Sequence, residues 1–114
     1  MKLMTKQIEK ILSKYPIYSQ DGKGNEAIAH CKFFLPGSGW SWYVTDGNQM
    51  KDGDWEFFGL VVNSYGEKEL GYFTLGQLQE TFNMKVRING RIMTMPMKIE
   101  RDMYFKPTAL KDVA

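Results

Sequence analysis

The chain has 114 residues, a length that suits one domain, and its hydrophobic fraction of 43 % and charged fraction of 25 % are those of a globular protein. Its 15 Lys and Arg against 13 Asp and Glu give a formal charge of +2, too balanced to indicate nucleic-acid binding. The single cysteine excludes an intrachain disulfide, and neither a signal peptide nor the ~20 apolar residues of a membrane span are recognisable. We therefore expect one cytoplasmic domain over residues 1–114, with no membrane partner.

A short helix and four strands are predicted in the first two thirds of the chain. Thr5 is a suitable N-cap for a helix with Ile8 and Leu12 on its apolar side, and Pro16 follows its end. Apolar patterning then predicts strands over residues 27–35, 40–45, 55–63 and 69–74. The intervening segment 46–54, rich in Asp, Asn and Gly, is predicted as a turn region. The third strand is apolar on both faces, so we expect it in the interior of the sheet.

A second helix is predicted directly after the fourth strand. Thr74 and Gln77 have the spacing of a capping box, in which each side chain bonds a backbone N–H of the other end. Leu75, Leu78 and Phe82 then recur as an apolar stripe.

A β-hairpin follows this helix. Asn89 and Gly90 stand between two β-like runs, which is the strongest short hairpin signal. In such a two-residue loop Ile88 faces Arg91, and we expect Pro96 to end the strand pair. One predicted face carries Met84, Val86, Ile88, Arg91 and Met93, and the other carries Lys85, Arg87, Ile92 and Thr94.

The order of these elements predicts the fold class. A last strand over residues 99–105 and a tail with one helical turn complete the chain. Helix, antiparallel strands, helix, hairpin and strand are typical of α+β proteins. We expect a single α+β domain with an antiparallel meander sheet, two short flanking helices and an extra β-hairpin near residues 84–95.

Four stretches resemble, in this order and spacing, a bacterial domain of unknown function that is carried on plasmids, conjugative elements and phages. They are PIYSQDGKGNEAIAHCKFFLPGSGWSWYVTDG, DWEFFGLV, ELGYFTLGQLQ and IERDMYFKPTALKDV, and they cover roughly residues 16–113. The resemblance brings no established activity. It implies a mobile-element accessory protein, a setting in which small inhibitors of host defence, anti-CRISPR proteins among them, are frequent. The segment before IERD is longer than the resemblance implies and contains the hairpin, where an added binding function is often found.

Four acidic residues match positions that the resemblance marks. Asp46 follows the tryptophan strand, Glu69 precedes LGYF, and Glu100 and Asp102 belong to ERD. Two residues apart on a strand, Glu100 and Asp102 share a face at about 7 Å, whereas Arg101 points to the other face. Such carboxylates suit a divalent cation or acid–base chemistry, with Asp46 and Glu69 joining them if the sheet brings the strand ends together. The alternative is that Lys or Arg on neighbouring strands neutralise the pair.

His30 and Cys31 are the soft metal ligands of the chain. As strand neighbours they point to opposite faces, which argues against a shared zinc and against a Cys–His nucleophile. Six aromatic residues suggest either a stacking platform for single-stranded nucleic acid or, as the period-two pattern favours, the core. They are Trp40, Trp42, Tyr43, Trp55, Phe57 and Phe58.

The hairpin is the most informative feature for function. Lys85, Arg87 and Arg91 give it positive charge, and methionines at positions 84, 93, 95 and 97 give it a soft apolar surface. Arg and Met are enriched at protein interfaces, and methionine adapts to the shape of a partner. The competing interpretation is an ordinary hairpin whose methionines cover the core.

We therefore expect a non-enzymatic, anti-CRISPR-like inhibitor that contacts a host protein or nucleoprotein through Lys85, Arg87 and Arg91, without a cofactor. One alternative is a metal-dependent or acid–base enzyme that uses Glu100 and Asp102. Another is an accessory protein that binds nucleic acid directly.

Overall fold

The computed structural model describes residues 1–113, so Ala114, the last residue of the predicted domain, lies outside the described residues. The two helices are α1 (Lys6–Leu12) and α2 (Leu75–Leu78), and 3-10 turns occur at Gly24–Glu26 and Leu110–Asp112. The strands are β1 (Ile28–Ala29), β2 (Cys31–Phe34), β3 (Ser41–Gln49), β4 (Trp55–Val62), β5 (Lys68–Thr74), β6 (Thr81–Ile88), β7 (Arg91–Lys98), β8 (Glu100–Arg101) and β9 (Thr108–Ala109). Within this range no helix has the length and apolarity to cross a membrane.

The main sheet has five antiparallel strands in the order β5-β4-β3-β2-β8. Strands β2 to β5 are neighbours in both sequence and space, so the predicted meander is confirmed, and β4 is an interior strand as its apolar residues indicate. The strands β1 and β9 form a small separate pair, and β6 pairs only with β7 in the described residues. Helices are a minor part of this α+β arrangement.

The main core lies between one face of the sheet and the two helices. Phe33, Val44 and Phe57 from three adjacent strands are buried there, with Leu12 of α1 and Leu78 of α2 packed against them. Thr5 caps α1 by accepting the Ile8 N–H, and the predicted capping box of Thr74 and Gln77 is present at α2. Both helices therefore begin where the sequence indicates, and Ile8, Leu12, Leu75 and Leu78 of their predicted apolar sides are buried.

A second, smaller core covers part of the opposite face. Tyr43 and Leu60 of the sheet contact Ala29 of β1 and Leu110 of the C-terminal 3-10 turn. The β1–β9 pair and the Leu110 N–H, which donates to the Ala27 carbonyl at 2.9 Å, hold this cover in place. Towards β5, the loop that precedes β1 lies beside this face, where Gln20 and Asp21 line a trough with Phe58 and Leu70.

A β-bulge in β3 decides which side chains reach this second face. Val44 is opposite Gly59 and Asp46 is opposite Phe58, so Thr45 is the extra residue on its strand. A bulge shifts the alternation by one residue. Asp46 therefore lies on the face of Phe58 rather than on the core face of Val44, and Gly47 returns to the core face against Phe57.

Four details differ from the sequence-based expectation. The segment 46–49, predicted as a turn, extends β3 because its backbone pairs with residues 55–58 of β4. The first predicted strand is divided at His30, whose N–H donates to the Val44 carbonyl at 2.7 Å. Helix α2 is a single turn, so Phe82 belongs to β6. The predicted last strand is only Glu100–Arg101 long, because an Asx turn at Asp102 redirects the chain.

The hairpin is longer than predicted and includes Pro96. It spans residues 81–98, with Pro96 opposite Asn83 inside β7. Proline is tolerated on a strand whose other edge has no neighbour, because its missing N–H is not needed there. The expectation that Pro96 ends the pair was therefore wrong, whereas the predicted register of Ile88 with Arg91 and Val86 with Met93 is confirmed.

Candidate functional site

The hairpin formed by β6 and β7 is the most exposed regular element of the protein. Its two strands contact each other far more than they contact any other element. At its base Phe82, Met84 and Met97 pack against the main core, and Ile99 just after it is buried. Beyond the base, residues 87–95 are all exposed. The hairpin is therefore anchored at one end and free at the other.

One side of the hairpin, the basic face, is entirely exposed. It consists of Thr81, Asn83, Lys85, Arg87, Ile92, Thr94, Pro96 and Lys98. Residues 81–98 contain four Lys or Arg and no Asp or Glu. The rest of the chain then holds 11 basic and 13 acidic residues, a formal charge of −2. The +4 hairpin is thus attached to a weakly acidic body, a separation that the overall charge conceals.

The other side, the methionine face, is apolar. It carries Phe82, Met84, Val86, Ile88, Arg91, Met93, Met95 and Met97. Its inner residues are half-buried, while the outer side chains of Ile88, Met93 and Met95 remain 40–49 % exposed. The inner methionines therefore cover the core, as the competing interpretation expects, whereas the outer ones are exposed.

The three basic residues predicted to bind a partner do not share one face. Lys85 and Arg87 lie on the basic face, about 7 Å apart along β6, whereas Arg91 lies on the methionine face beside the turn. Lys98, opposite Thr81, joins Lys85 and Arg87. Lys98 was missed because the hairpin was expected to end at Pro96. If the register set by Asn89 and Gly90 is continued two residues beyond Pro96, it puts Lys98 on the basic face.

The four predicted acidic residues are not brought together by the sheet. Glu69 lies on β5 and Glu100 on β8, the two opposite edges, so four strand spacings of ~4.8 Å separate them. Asp46 is on the central strand β3. Within residues 1–113 no three His, Cys, Asp or Glu side chains are grouped as metal ligands. The sheet therefore does not bring Asp46 and Glu69 to the ERD pair, which was the condition for a shared acidic site.

The ERD residues have separate local roles. Glu100 is opposite Phe34 and exposed, and Arg101 is opposite the buried Phe33, which confirms that they point to opposite faces. The Arg101 guanidinium donates to the Lys2 and Leu3 carbonyls and so holds the N-terminal segment. The Asp102 carboxylate accepts the Tyr104 N–H at 3.0 Å, which closes the turn.

Asp46 is the exception among the acids because it is only 1 % exposed. Its Oδ2 accepts the backbone N–H of Gln20 at 3.2 Å. The Gln20 side chain in turn bridges three backbone groups: its Nε2 donates to the Ile28 and Thr45 carbonyls, both at 2.8 Å, and its Oε1 accepts the Ile28 N–H at 2.7 Å. Gln20 stands in a polar loop without periodicity, so no sequence signal marks it as a buried residue.

His30 and Cys31 diverge as predicted. Cys31 is buried in the main core, and burial raises the pKa of its thiol to about 12, so the thiolate needed for nucleophilic attack is not formed at neutral pH. The His30 ring lies 4.1 Å from the ring of Tyr15, centroid to centroid. Burial lowers the pKa of His30, and the nearby Asp46 carboxylate partly opposes this shift.

Most of the aromatic residues belong to the cores rather than to an open platform. Trp42, Trp55 and Phe57 are in the main core and Tyr43 is in the second core. Trp40 is 36 % exposed and stacks on Trp42 with centroids 5.7 Å apart. Phe58 and Tyr72 form a separate pair on the second face of the sheet, at 4.9 Å.

A family model described as "Protein of unknown function (DUF2958)" matches residues 3–111, so the chain belongs to this family. No curated protein and no solved structure matches the chain.

Proposed function

We propose that this member of the DUF2958 family is a non-enzymatic binding protein that attaches to a host nucleoprotein through its hairpin. In this proposal the protein is encoded by a mobile element, acts in the bacterial cytoplasm and inhibits a host defence complex of the kind that anti-CRISPR proteins inhibit. The observation that carries the proposal is the concentration of charge: +4 on an exposed hairpin, without one acidic residue, on a body of charge −2.

Charge of one sign on a protruding element favours a partner that presents phosphates or carboxylates. Lys85, Arg87 and Lys98 are all exposed on one face, so they are available to such groups together. Complementary charge steers association and selects the partner more than it adds affinity. The proposal therefore needs a second, apolar source of binding energy.

The methionine face supplies that apolar source. Ile88, Met93 and Met95 are 43 %, 49 % and 40 % exposed, and Ile92 on the basic face is 66 % exposed. Methionine side chains adapt to irregular surfaces, and buried apolar area is the main favourable term in association. A nucleoprotein offers both a phosphate-rich edge for the basic face and an apolar protein surface for the methionine face.

The mobile-element context is supported by the resemblance of the PIYSQ, DWEFFGLV, ELGYFTLGQLQ and IERDMYF stretches to a domain that plasmids and phages carry. Defence nucleoproteins are the host complexes that such elements must survive. Inhibition by occupation of a surface requires no catalytic group.

The test is plasmid interference in bacteria that carry an active CRISPR system of type I or type II. Expression of the wild-type protein should restore transformation by a targeted plasmid in at least one system. The Lys85→Glu/Arg87→Glu variant should lose this effect, because it weakens binding by at least about 30-fold when two attractive contacts become repulsive. The matched control, Lys6→Glu/Lys10→Glu, makes the same change of charge on exposed residues of α1 and should retain the effect.

Two results would contradict the proposal: no restoration by the wild type in any system, or equal loss in the hairpin variant and the α1 control. Arg91→Glu sharpens the test, because Arg91 lies on the other face and should matter less than the pair on the basic face.

Direct nucleic-acid binding is the second candidate, and the basic face favours it as well. It predicts that a free 20-base-pair DNA duplex or a single-stranded RNA binds without any protein partner, with an affinity that falls steeply between 50 and 200 mM salt. Fluorescence anisotropy that stays flat at 50 mM salt would remove this candidate and leave the nucleoprotein proposal untouched.

A further inference from the structure

A small cavity lies on the second face of the main sheet, and none of its lining residues belongs to the hairpin. It has a volume of about 50 Å³ and is lined by Tyr18, Asp21, Asp46, Phe58 and Tyr72. The bulge at Thr45 is what turns Asp46 towards Phe58 on this face. The cavity therefore combines three aromatic rings with two carboxylates, drawn from the loop before β1 and from strands β3, β4 and β5.

Asp46, which lines this cavity, has an unmet hydrogen-bonding requirement. Its Oδ2 accepts the Gln20 N–H, but its Oδ1 is buried and has no hydrogen-bond partner within residues 1–113. A buried carboxylate oxygen without a donor is costly, and native proteins rarely leave one. A ligand that brings an N–H or O–H donor would remove this cost.

The local charge selects the kind of donor. Asp21 and Asp46 line the cavity. Glu56 lies on the same face of β4 as Phe58, and its partner on β5, Thr74, is two residues from Tyr72, the partner of Phe58. No Lys or Arg in residues 1–113 forms an ion pair with Asp46. His30 does not compensate it, because burial lowers the pKa of the imidazole and favours its neutral form. The cavity therefore carries negative charge and suits a cationic ligand.

The aromatic walls suit a cation as well. The rings of Phe58 and Tyr72 lie 4.9 Å apart with an interplanar angle of 57°, and Tyr18 and Tyr72 are 69 % and 53 % exposed. The neighbouring Tyr18 side chain raises the pKa of Tyr72 to about 12, which keeps its phenol neutral and its ring available as an apolar wall. Ring faces attract ammonium groups, most strongly where water is partly excluded.

A neighbouring trough accommodates the rest of a ligand. It has a volume of about 300 Å³, shares Asp21 and Phe58 with the cavity, and is bordered by the apolar side chains of Leu70, Ala27 and Leu110. A cavity of 50 Å³ exceeds the ~10–15 Å³ that one water needs, so it has room for an ammonium group and its adjoining methylene. An aliphatic chain would continue along the trough.

We propose that this cavity binds a primary alkylammonium group, as found at the end of a lysine side chain or of a free diamine. The ammonium donates to Asp46 Oδ1, its charge is balanced by Asp46 and Asp21, and it lies against the ring of Tyr72 while its methylenes contact Phe58. A quaternary ammonium fits less well because it has no N–H for Asp46, and a hard metal ion needs six or more oxygen ligands rather than aromatic walls. This site is separate from the hairpin and goes beyond the function proposed above.

The test is titration of the ¹⁵N-labelled protein with n-butylammonium, followed by the amide resonances of Asp46, Phe58 and Tyr72. Saturable shifts at these amides are expected, while n-butanol should cause none and tetramethylammonium at the same concentrations should cause much smaller shifts. Asp46→Asn, which is isosteric, should weaken n-butylammonium binding by roughly tenfold or more, because it replaces a charge-assisted bond. Glu80→Gln removes an exposed acid elsewhere and should change nothing.

Tyr72→Leu provides a second variant at an exposed position and should weaken binding by about threefold or more through loss of the cation–π contact. Equal shifts with n-butanol, no shifts with n-butylammonium, or unchanged binding in both Asp46→Asn and Tyr72→Leu would overturn the proposal. Parallel titrations with 1,5-diaminopentane and with Nα-acetyl-lysine N-methylamide then identify the natural ligand. Tighter binding of the first compound indicates a free diamine, and tighter binding of the second indicates a lysine side chain.

Discussion

The hairpin and the second face of the main sheet are opposite in almost every respect. The hairpin is basic, exposed and made of one continuous segment, 81–98. The cavity at Asp46 is acidic, partly enclosed and assembled from segments around residues 18–21, 46, 58 and 72. A surface built from one segment is specified by local sequence, whereas a site built from several is specified by the register of the sheet. The following changes test that contrast, from the largest expected effect to the smallest.

The register of the sheet should be most sensitive at Gly59. A Cβ atom at this position would overlap the Tyr43 backbone carbonyl, which cannot rotate away as a side chain would. We expect Gly59→Ala to lower the free energy of unfolding by about 3 kcal/mol, the upper end of the usual cost of overpacking. Gly71, opposite Gly59 on β5, is the matched control, because a Cβ there has no atom within 4 Å among the described residues.

Urea unfolding followed by tryptophan fluorescence measures both variants. Gly71→Ala should stay within about 0.5 kcal/mol of the wild type. If Gly59→Ala lowers the free energy of unfolding no more than Gly71→Ala does, β3 and β4 are not in close contact beside the bulge. The orientation of Asp46 derived from that contact would then be refuted as well.

Removing a helix cap should have an intermediate effect on stability. Thr74 caps α2 by accepting the Gln77 N–H at 3.1 Å, so Thr74→Ala should destabilise the protein by about 1 kcal/mol. Thr94→Ala, on the exposed basic face of the hairpin, should change stability by less than about 0.5 kcal/mol. Thermal unfolding of both variants provides the comparison, and equal losses would contradict the contrast between anchored sheet and free hairpin.

The smallest expected effect is the pH dependence that comes from His30, the single histidine of the chain. Burial lowers its pKa below the ordinary value of 6.5, so below that pH the unfolded chain takes up a proton that the folded protein resists. The free energy of unfolding should be highest above pH 6.5 and should fall as the pH is lowered from 7.5 to 5.5. His30→Gln should flatten this dependence; an unchanged slope would show that other groups cause it.

The sequence could predict those parts of the fold that depend on neighbours in the chain. The Asn89–Gly90 turn set the hairpin register, and Thr74 with Gln77 set the start of α2. Pro96 misled the prediction because proline is excluded only where both strand edges are paired, and the sequence alone does not show which edges are free.

The cavity could not be predicted, although Asp46 was singled out. Residues 46–49 have turn composition, and only pairing with β4 holds them in a strand. The bulge at Thr45 then moves Asp46 to the second face, next to Phe58 and Tyr72. These two residues lie on other strands, so no local sequence pattern links them to Asp46. The sequence left open whether the acidic residues meet in one cluster, and the order of the strands, with β5 and β8 at opposite edges, keeps Glu69 away from Glu100.

The most direct test of the account is the affinity of a purified defence complex, with its guide RNA, for three forms of the protein. The complex is the one whose interference the wild-type protein inhibits. If the hairpin carries the contact, Lys85→Glu/Arg87→Glu should raise the Kd by at least about 30-fold and Asp46→Asn should leave it within about twofold. A Kd that is unchanged in the hairpin variant, or raised more by Asp46→Asn, would contradict the account.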